Sequence, residues 1–179
     1  MPGIGAALAV IRRAIHSEVT GQRFYSDAAY YCIDPWAKEI FATLAQEEEV
    51  HTRLLLLQHE SLSTGGGWLD PEQALASDAE VDITRMNLAG DEAGLEEELF
   101  PPQWSARDTV DRRADDLAAL AFGIRMEKRA IALYGEEAGA ARDPAARKAY
   151  EFLVLEERQH YQQLKEQWEK LAGIPFTED

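Results

Sequence analysis

Two triplets of residues in this 179-residue chain have the types and spacing of metal ligands. Glu18 is followed after 30 residues by Glu48 and after 33 by His51. Glu127 is followed at the same intervals by Glu157 and His160. On a helix, positions i and i+3 lie about 60° apart and about 4.5 Å along the axis, so each Glu-x-x-His pair shares a face. Burying four carboxylates without counter-charge is prohibitive. Two divalent cations would supply that charge, with neutral imidazoles completing the shell. Glutamate and histidine ligands without thiolate suit iron or manganese better than a soft metal. A lone Glu-x-x-His on an acidic helix is usually a surface pattern. These copies differ in sharing their spacing and in having a matched third Glu.

The elements that must carry these residues are helices. Ala, Leu and Glu together number 68 against 22 for Val, Ile and Thr, an excess of helix formers that favours an all-α protein. Leu8, Ile11, Ile15, Val19 and Phe24 recur at close to helical spacing through residues 4–32. Asp34-Pro35 then supplies an N-cap and a first-turn proline. The helix it opens reads to about residue 62, where Ser63-Thr64-Gly65-Gly66-Gly67 stops it. Residues 70–77 suit a short helix. A further long helix reads over about 112–141, Asp143-Pro144 repeats the cap, and a last helix ends near Ala172, before Gly173 and Pro175. This predicts one domain over 1–179: hairpin 4–62, crossover 63–111, hairpin 112–172 and tail 173–179. Two antiparallel hairpins with one long crossover make the ferritin-like four-helix bundle.

Shifted by 109 residues, the chain registers on itself without a gap, with 14 of 46 positions identical from Ile15 to Glu60. Caps and apolar positions repeat because both halves are the same helical hairpin. That does not explain why the Glu and His positions repeat. Folding about residue 34 sets Glu18 opposite residue 50, between Glu48 and His51. Folding about residue 143 sets Glu127 opposite residue 159, between Glu157 and His160. The six side chains are therefore expected at one level of the bundle.

The net charge is −15, which argues against nucleic acid or an anionic membrane surface as partner. Residues 61–112 carry 12 acidic and 3 basic side chains, read as a solvated face. No apolar stretch is long enough to span a bilayer, and the Arg12-Arg13 pair follows the apolar N-terminal run instead of preceding it, so that run is not expected to be a secretory signal. Cys32 is the single cysteine, so a disulfide within the chain, a Cys₄ site and a CxxC pair are excluded. The expected compartment is the cytoplasm.

The segments IHSEVTGQRFYSDAA with LAQEEEVH, and IRMEKRAIALYGEEAG with LVLEERQH, resemble the rubrerythrin-like branch of the ferritin-like superfamily. The resemblance covers roughly residues 4–62 and 112–172. It implies a dinuclear iron site, ligated by Glu18, Glu48, His51, Glu127, Glu157 and His160, that reacts with hydrogen peroxide or dioxygen. Full-length rubrerythrins add a rubredoxin-type Cys₄ domain. With one cysteine here, an external electron donor, rubredoxin-like or a flavoprotein, is expected. Peroxidase-type members carry a further Glu one turn after the third-helix ligand, where this chain has Ala130, with Gly21 as its repeat mate. The six-ligand set is similar to ferroxidase and oxidase sites. Two alternatives stand beside the redox enzyme: a ferroxidase or iron-handling protein with Fe(II) as substrate, and a non-catalytic assembly module with a structural or vestigial site. A homodimer is expected.

Tyr25 and Tyr134 each lie seven residues after a first-helix Glu, about 20° off its face. They are expected to donate a hydrogen bond near the site or act as redox-active phenols, or else to pack in the core. Glu47 and Glu156 point about 100° from their ligand neighbours, which suggests surface or inter-helix pairing. His16 faces away from Glu18, and His59 is expected to be peripheral. Trp68, Phe100, Pro101, Pro102 and Trp104 of the crossover are expected to pack on the bundle or form an oligomer contact.

Overall fold

A computed structural model describes residues 4–81, 83 and 112–177. Four long helices dominate: α1 (Ile4–Tyr31), α2 (Pro35–Ser63), α4 (Arg112–Ala140) and α5 (Pro144–Ala172), with a short α3 (Pro71–Ala76) after α2. Each boundary lies within about one residue of where the caps and breakers set it. No strand occurs among the described residues. The architecture is the all-α, ferritin-like bundle, with α1 packed along α2 and α4 along α5. Among the described residues no helix is long and apolar enough to cross a membrane.

The α1–α2 turn is fixed from three sides. Asp34 caps α2 by accepting from Ala37 N at 2.8 Å, and Pro35 occupies the first turn, where its missing N–H costs nothing. Asp116 of α4 accepts from Ile33 N at 3.1 Å and from Asp34 N at 2.8 Å. Gln167 of α5 donates to Asp34 Oδ1 at 2.7 Å. The first hairpin is thereby tied to the second at this end. Asp143 caps α5 by accepting from Ala145 N and Ala146 N, and Gly173 closes α5 in the left-handed region at φ +75°.

The start of the crossover is anchored on the bundle. Gln58 exchanges two hydrogen bonds with the Leu69 backbone, at 2.8 and 2.9 Å. Arg53 donates to the carbonyls of Leu75 and Ser77, and Lys148 pairs with Asp70 at 2.8 Å. Trp68 meets Tyr150 edge to face at 5.4 Å between centroids, so it packs on the bundle as expected. Phe100, Pro101, Pro102 and Trp104 lie outside the described residues.

The interior is two apolar clusters with a polar layer between them. One holds Ile11, Ile15, Leu54, Leu55, Tyr134 and Leu153; the other holds Phe24, Tyr25, Phe41, Leu44, Ile124 and Leu164. Along every long helix, the Glu and His positions fall between residues of the two clusters. A rigid apolar floor and ceiling therefore hold the polar level in place.

Candidate metal centre

All six residues of the two triplets are buried, none more than 4% exposed. Glu18 comes from α1, Glu48 and His51 from α2, Glu127 from α4, and Glu157 and His160 from α5. They converge as two overlapping groups: Glu18, Glu48, His51 and Glu157, and Glu48, Glu127, Glu157 and His160. Within each group one potential ligand atom per residue lies within 4.8 Å of the others.

Glu48 and Glu157 belong to both groups, and their oxygens are divided between them. Glu157 sets Oε1 3.1 Å from His51 Nδ1 and Oε2 3.0 Å from His160 Nδ1. Glu48 sets Oε2 3.5 Å from His51 Nδ1 and Oε1 3.4 Å from His160 Nδ1. Glu18 lies on the His51 side, at 3.3 Å, and Glu127 on the His160 side, at 3.7 Å. The two imidazoles lie nearly parallel, 5.3 Å apart between centroids. Two shared carboxylates flanked by two unshared ones is the form of a paired site.

The donor set fits metal ions on a further ground. Both oxygens of Glu157 and both ring nitrogens of His160 are buried without a properly directed hydrogen bond, despite their close approaches. Buried polar atoms are rarely left so. Such crowded, under-bonded donors could share a cation.

In the absence of metal, burial disfavours charge at Glu48, His51, Glu127, Glu157 and His160. Glu127 is pushed up to about 8 by burial and then by the charge of Glu157. Glu48 is raised by burial, Glu18 and Glu157. Burial would lower both imidazoles, but the surrounding carboxylates override it. His160 rises to about 12 through Glu127, Glu157 and Glu48, and His51 rises through Glu157, Glu18 and Glu48. Glu157, although burial opposes it, is held below the usual carboxylate range by His160 and His51.

The two tyrosines cross between hairpins. Tyr25 of α1 donates to Glu127 of α4, and Tyr134 of α4 donates to Glu18 of α1. Their rings sit in the apolar clusters while their hydroxyls reach the site, so the expected core role and the expected site role coincide. The phenols stay protonated, raised by burial and then by the glutamates they serve. Spacing along one helix could not assign each tyrosine to the opposite hairpin; the matched 109-residue offset was the available sign.

Glu47 makes the inter-helix pair expected of it, and that pair reaches the centre: Oε2 lies 3.1 Å from His160 Nε2. Glu156 accepts from Gln159 at 3.2 Å. His16 is buried and outside the cluster, and half-buried His59 accepts from Arg12 Nε at 3.4 Å. A cavity of about 210 Å³ opens beside the centre between α1 and α4. Glu18, Glu48, Glu127 and Glu157 lie along it, as do Arg13 and Arg129, which sequence reasoning did not single out.

The rubrerythrin family matches residues 9–167, a span that includes all six converging residues. Comparison with curated proteins and with solved structures gives no match. The match spans most of the chain, and the chain belongs to the rubrerythrin family, a ferritin-like diiron family.

Proposed function

We propose that Glu18, Glu48, His51, Glu127, Glu157 and His160 hold two iron ions, and that the protein reduces hydrogen peroxide or dioxygen with electrons from an external donor. The observation that carries this reading is the division of Glu48 and Glu157 between two imidazoles in a buried, under-bonded cluster. Two bound iron ions would supply the pair of electrons that a peroxide bond needs. Four glutamates balance the charge of two divalent cations. Glu48 and Glu157 have oxygens on both sides and can bridge. Tyr134 gives a hydrogen bond to Glu18 Oε1, which leaves Oε2, the oxygen facing His51, available to a metal; Tyr25 gives one to Glu127 Oε1, the oxygen that also faces His160. Glu47 Oε2 lies 3.1 Å from the outer nitrogen of His160, on the side away from the cluster that Nδ1 faces.

The cavity between α1 and α4 gives a small oxidant a way to the centre. Its lining combines the four glutamates of the centre with Arg13 and Arg129. The test is turnover of peroxide and dioxygen by iron-loaded protein with a chemical reductant. Sustained consumption of oxidant supports the reading. A single stoichiometric reaction followed by release of ferric iron supports the ferroxidase alternative instead.

A further inference from the structure

Each of the two apolar clusters contains a pair of stacked rings, and the pairs differ by one hydroxyl. In one, Tyr25 stacks on Phe41, 5.9 Å between centroids and 23° from parallel. In the other, Tyr134 stacks on Tyr150, at 6.4 Å and 21°. Tyr134 and Tyr150 stand 109 residues after Tyr25 and Phe41, so the two stacks are counterparts. Both inner tyrosines donate to a glutamate of the centre, Tyr25 to Glu127 and Tyr134 to Glu18. Phe41, fully buried, shows that a plain ring satisfies packing at the outer position. Packing therefore does not explain the hydroxyl of Tyr150. A phenol can give up an electron to a strong biological oxidant, and a phenyl ring cannot.

The Tyr150 stack also continues outward. Trp68 meets Tyr150 edge to face at 5.4 Å. Trp68 is half-buried, while Tyr150 and Tyr134 are buried, so the three rings lead from the surface to Glu18. Trp68 is held by both its neighbours. Ser61 Oγ donates to the Gly67 carbonyl at 2.8 Å, and Gln58 exchanges two hydrogen bonds with Leu69. Electron tunnelling slows exponentially with distance, so short hops between oxidisable rings outrun one long one. Burial, and then the charge of Glu137, hold the Tyr150 phenol in its protonated form. Glu137 can take that proton while the ring is oxidised.

We propose that Trp68, Tyr150 and Tyr134 form a one-electron path between the surface and the metal centre. The proposal rests on the redox reading of that centre and names the route by which its missing electrons arrive. Reducing dioxygen to two waters takes four electrons and four protons. A pair of Fe(II) ions supplies two of the electrons on becoming Fe(III). The other two come singly along the path, and the four protons come from solvent. In each passage Trp68 loses one electron, and its indole N–H proton goes to solvent. Tyr150 and Tyr134 relay the electron to the oxidised centre, and their phenol protons shift to Glu137 and Glu18 and return. The external donor then gives Trp68 one electron, and solvent restores its proton. Without a donor, the oxidising equivalent reaches Trp68 and is kept away from the glutamates and histidines of the centre.

The experiment uses the full-length protein in two states. In metal-free protein, pulse radiolysis with azide radical oxidises tryptophan first. A tryptophanyl radical is expected to decay as a tyrosyl radical grows, in a first-order phase independent of protein concentration. Part of its amplitude is expected to be lost in Trp68→Phe, and the same part in Tyr150→Phe. Tyr150→Phe installs the ring found at position 41, so fold and metal content are expected to be retained. In iron-loaded protein given excess hydrogen peroxide and no reductant, peptide mass spectrometry is expected to find oxidised Trp68. That oxidation is expected to be lost in Tyr150→Phe and in the metal-free protein. An amplitude unchanged in either variant overturns the proposal. So does oxidation of Trp68 at equal yield with and without the Tyr150 hydroxyl. Either result leaves the metal reading intact where the same samples hold about two iron ions per chain. Protein that takes up no iron overturns both.

Discussion

At the scale of single residues, the centre is a contest between protons and metal for the same lone pairs. Glu127 pushed up to about 8, and His160 to about 12, hold protons at neutral pH when no metal is bound. Metal must displace those protons, so uptake should release acid and strengthen with pH. Calorimetry in buffers of different ionisation enthalpy checks the release; uptake that is independent of buffer would contradict it. The same raised values fix the sign of stability against pH. The Glu127 contribution is complete below its ordinary 4.5 and is lost as pH rises through about 8. The His160 contribution is complete below 6.5 and fades toward about 12. Glu157, held low, acts oppositely and loses its contribution as pH falls below 4.5. The Tm of metal-free protein should therefore fall between about pH 5 and about pH 8.5, and bound metal should suppress the fall. A rising Tm across that window would refute the assignment. Tyr25→Phe and Tyr134→Phe keep the ring packing and remove one hydrogen bond to a glutamate. Each should retain metal with about 10–100-fold lower affinity, measured by competition against a chelator.

At the scale of elements, the caps and breakers were legible because each acts within a few residues of itself. Asp34-Pro35, Asp143-Pro144 and Gly173 place helix ends whatever the tertiary context. The level of the site was legible for a related reason: antiparallel helices of fixed rise turn sequence distance into height. The contacts that lock one hairpin to the other were not. Asp116 fastens the α1–α2 turn through backbone N–H groups more than 80 residues away, and no local pattern distinguishes it from the acidic residues around it. The crossed tyrosines were hidden likewise, since spacing shows which face a residue occupies but not which neighbour that face meets. Asp116→Ala would leave the part-buried Ile33 and Asp34 N–H groups without their acceptor, at about 0.5–1.5 kcal/mol for each lost bond. Denaturant unfolding should show a loss of that order. A change under about 0.5 kcal/mol would mean the clamp is ornamental. Leu153→Ala, at a fully buried site next to the polar level, should cost about 2–5 kcal/mol and loosen metal retention as well.

At the scale of the whole molecule, two apolar clusters enclose one polar level to which all four long helices contribute. Neither hairpin alone brings together four carboxylates and two imidazoles, so the site exists only when the bundle is closed. Metal bound at this level would be linked to folding, and it should raise Tm with the logarithm of its concentration over Kd. The central claim is that this level is a two-metal site. Elemental mass spectrometry of freshly purified, chelator-free protein tests it most directly, read as metal ions per chain. The account predicts about two per chain, iron or manganese. Substantially less than one per chain, even after anaerobic Fe(II) loading and desalting, would contradict it.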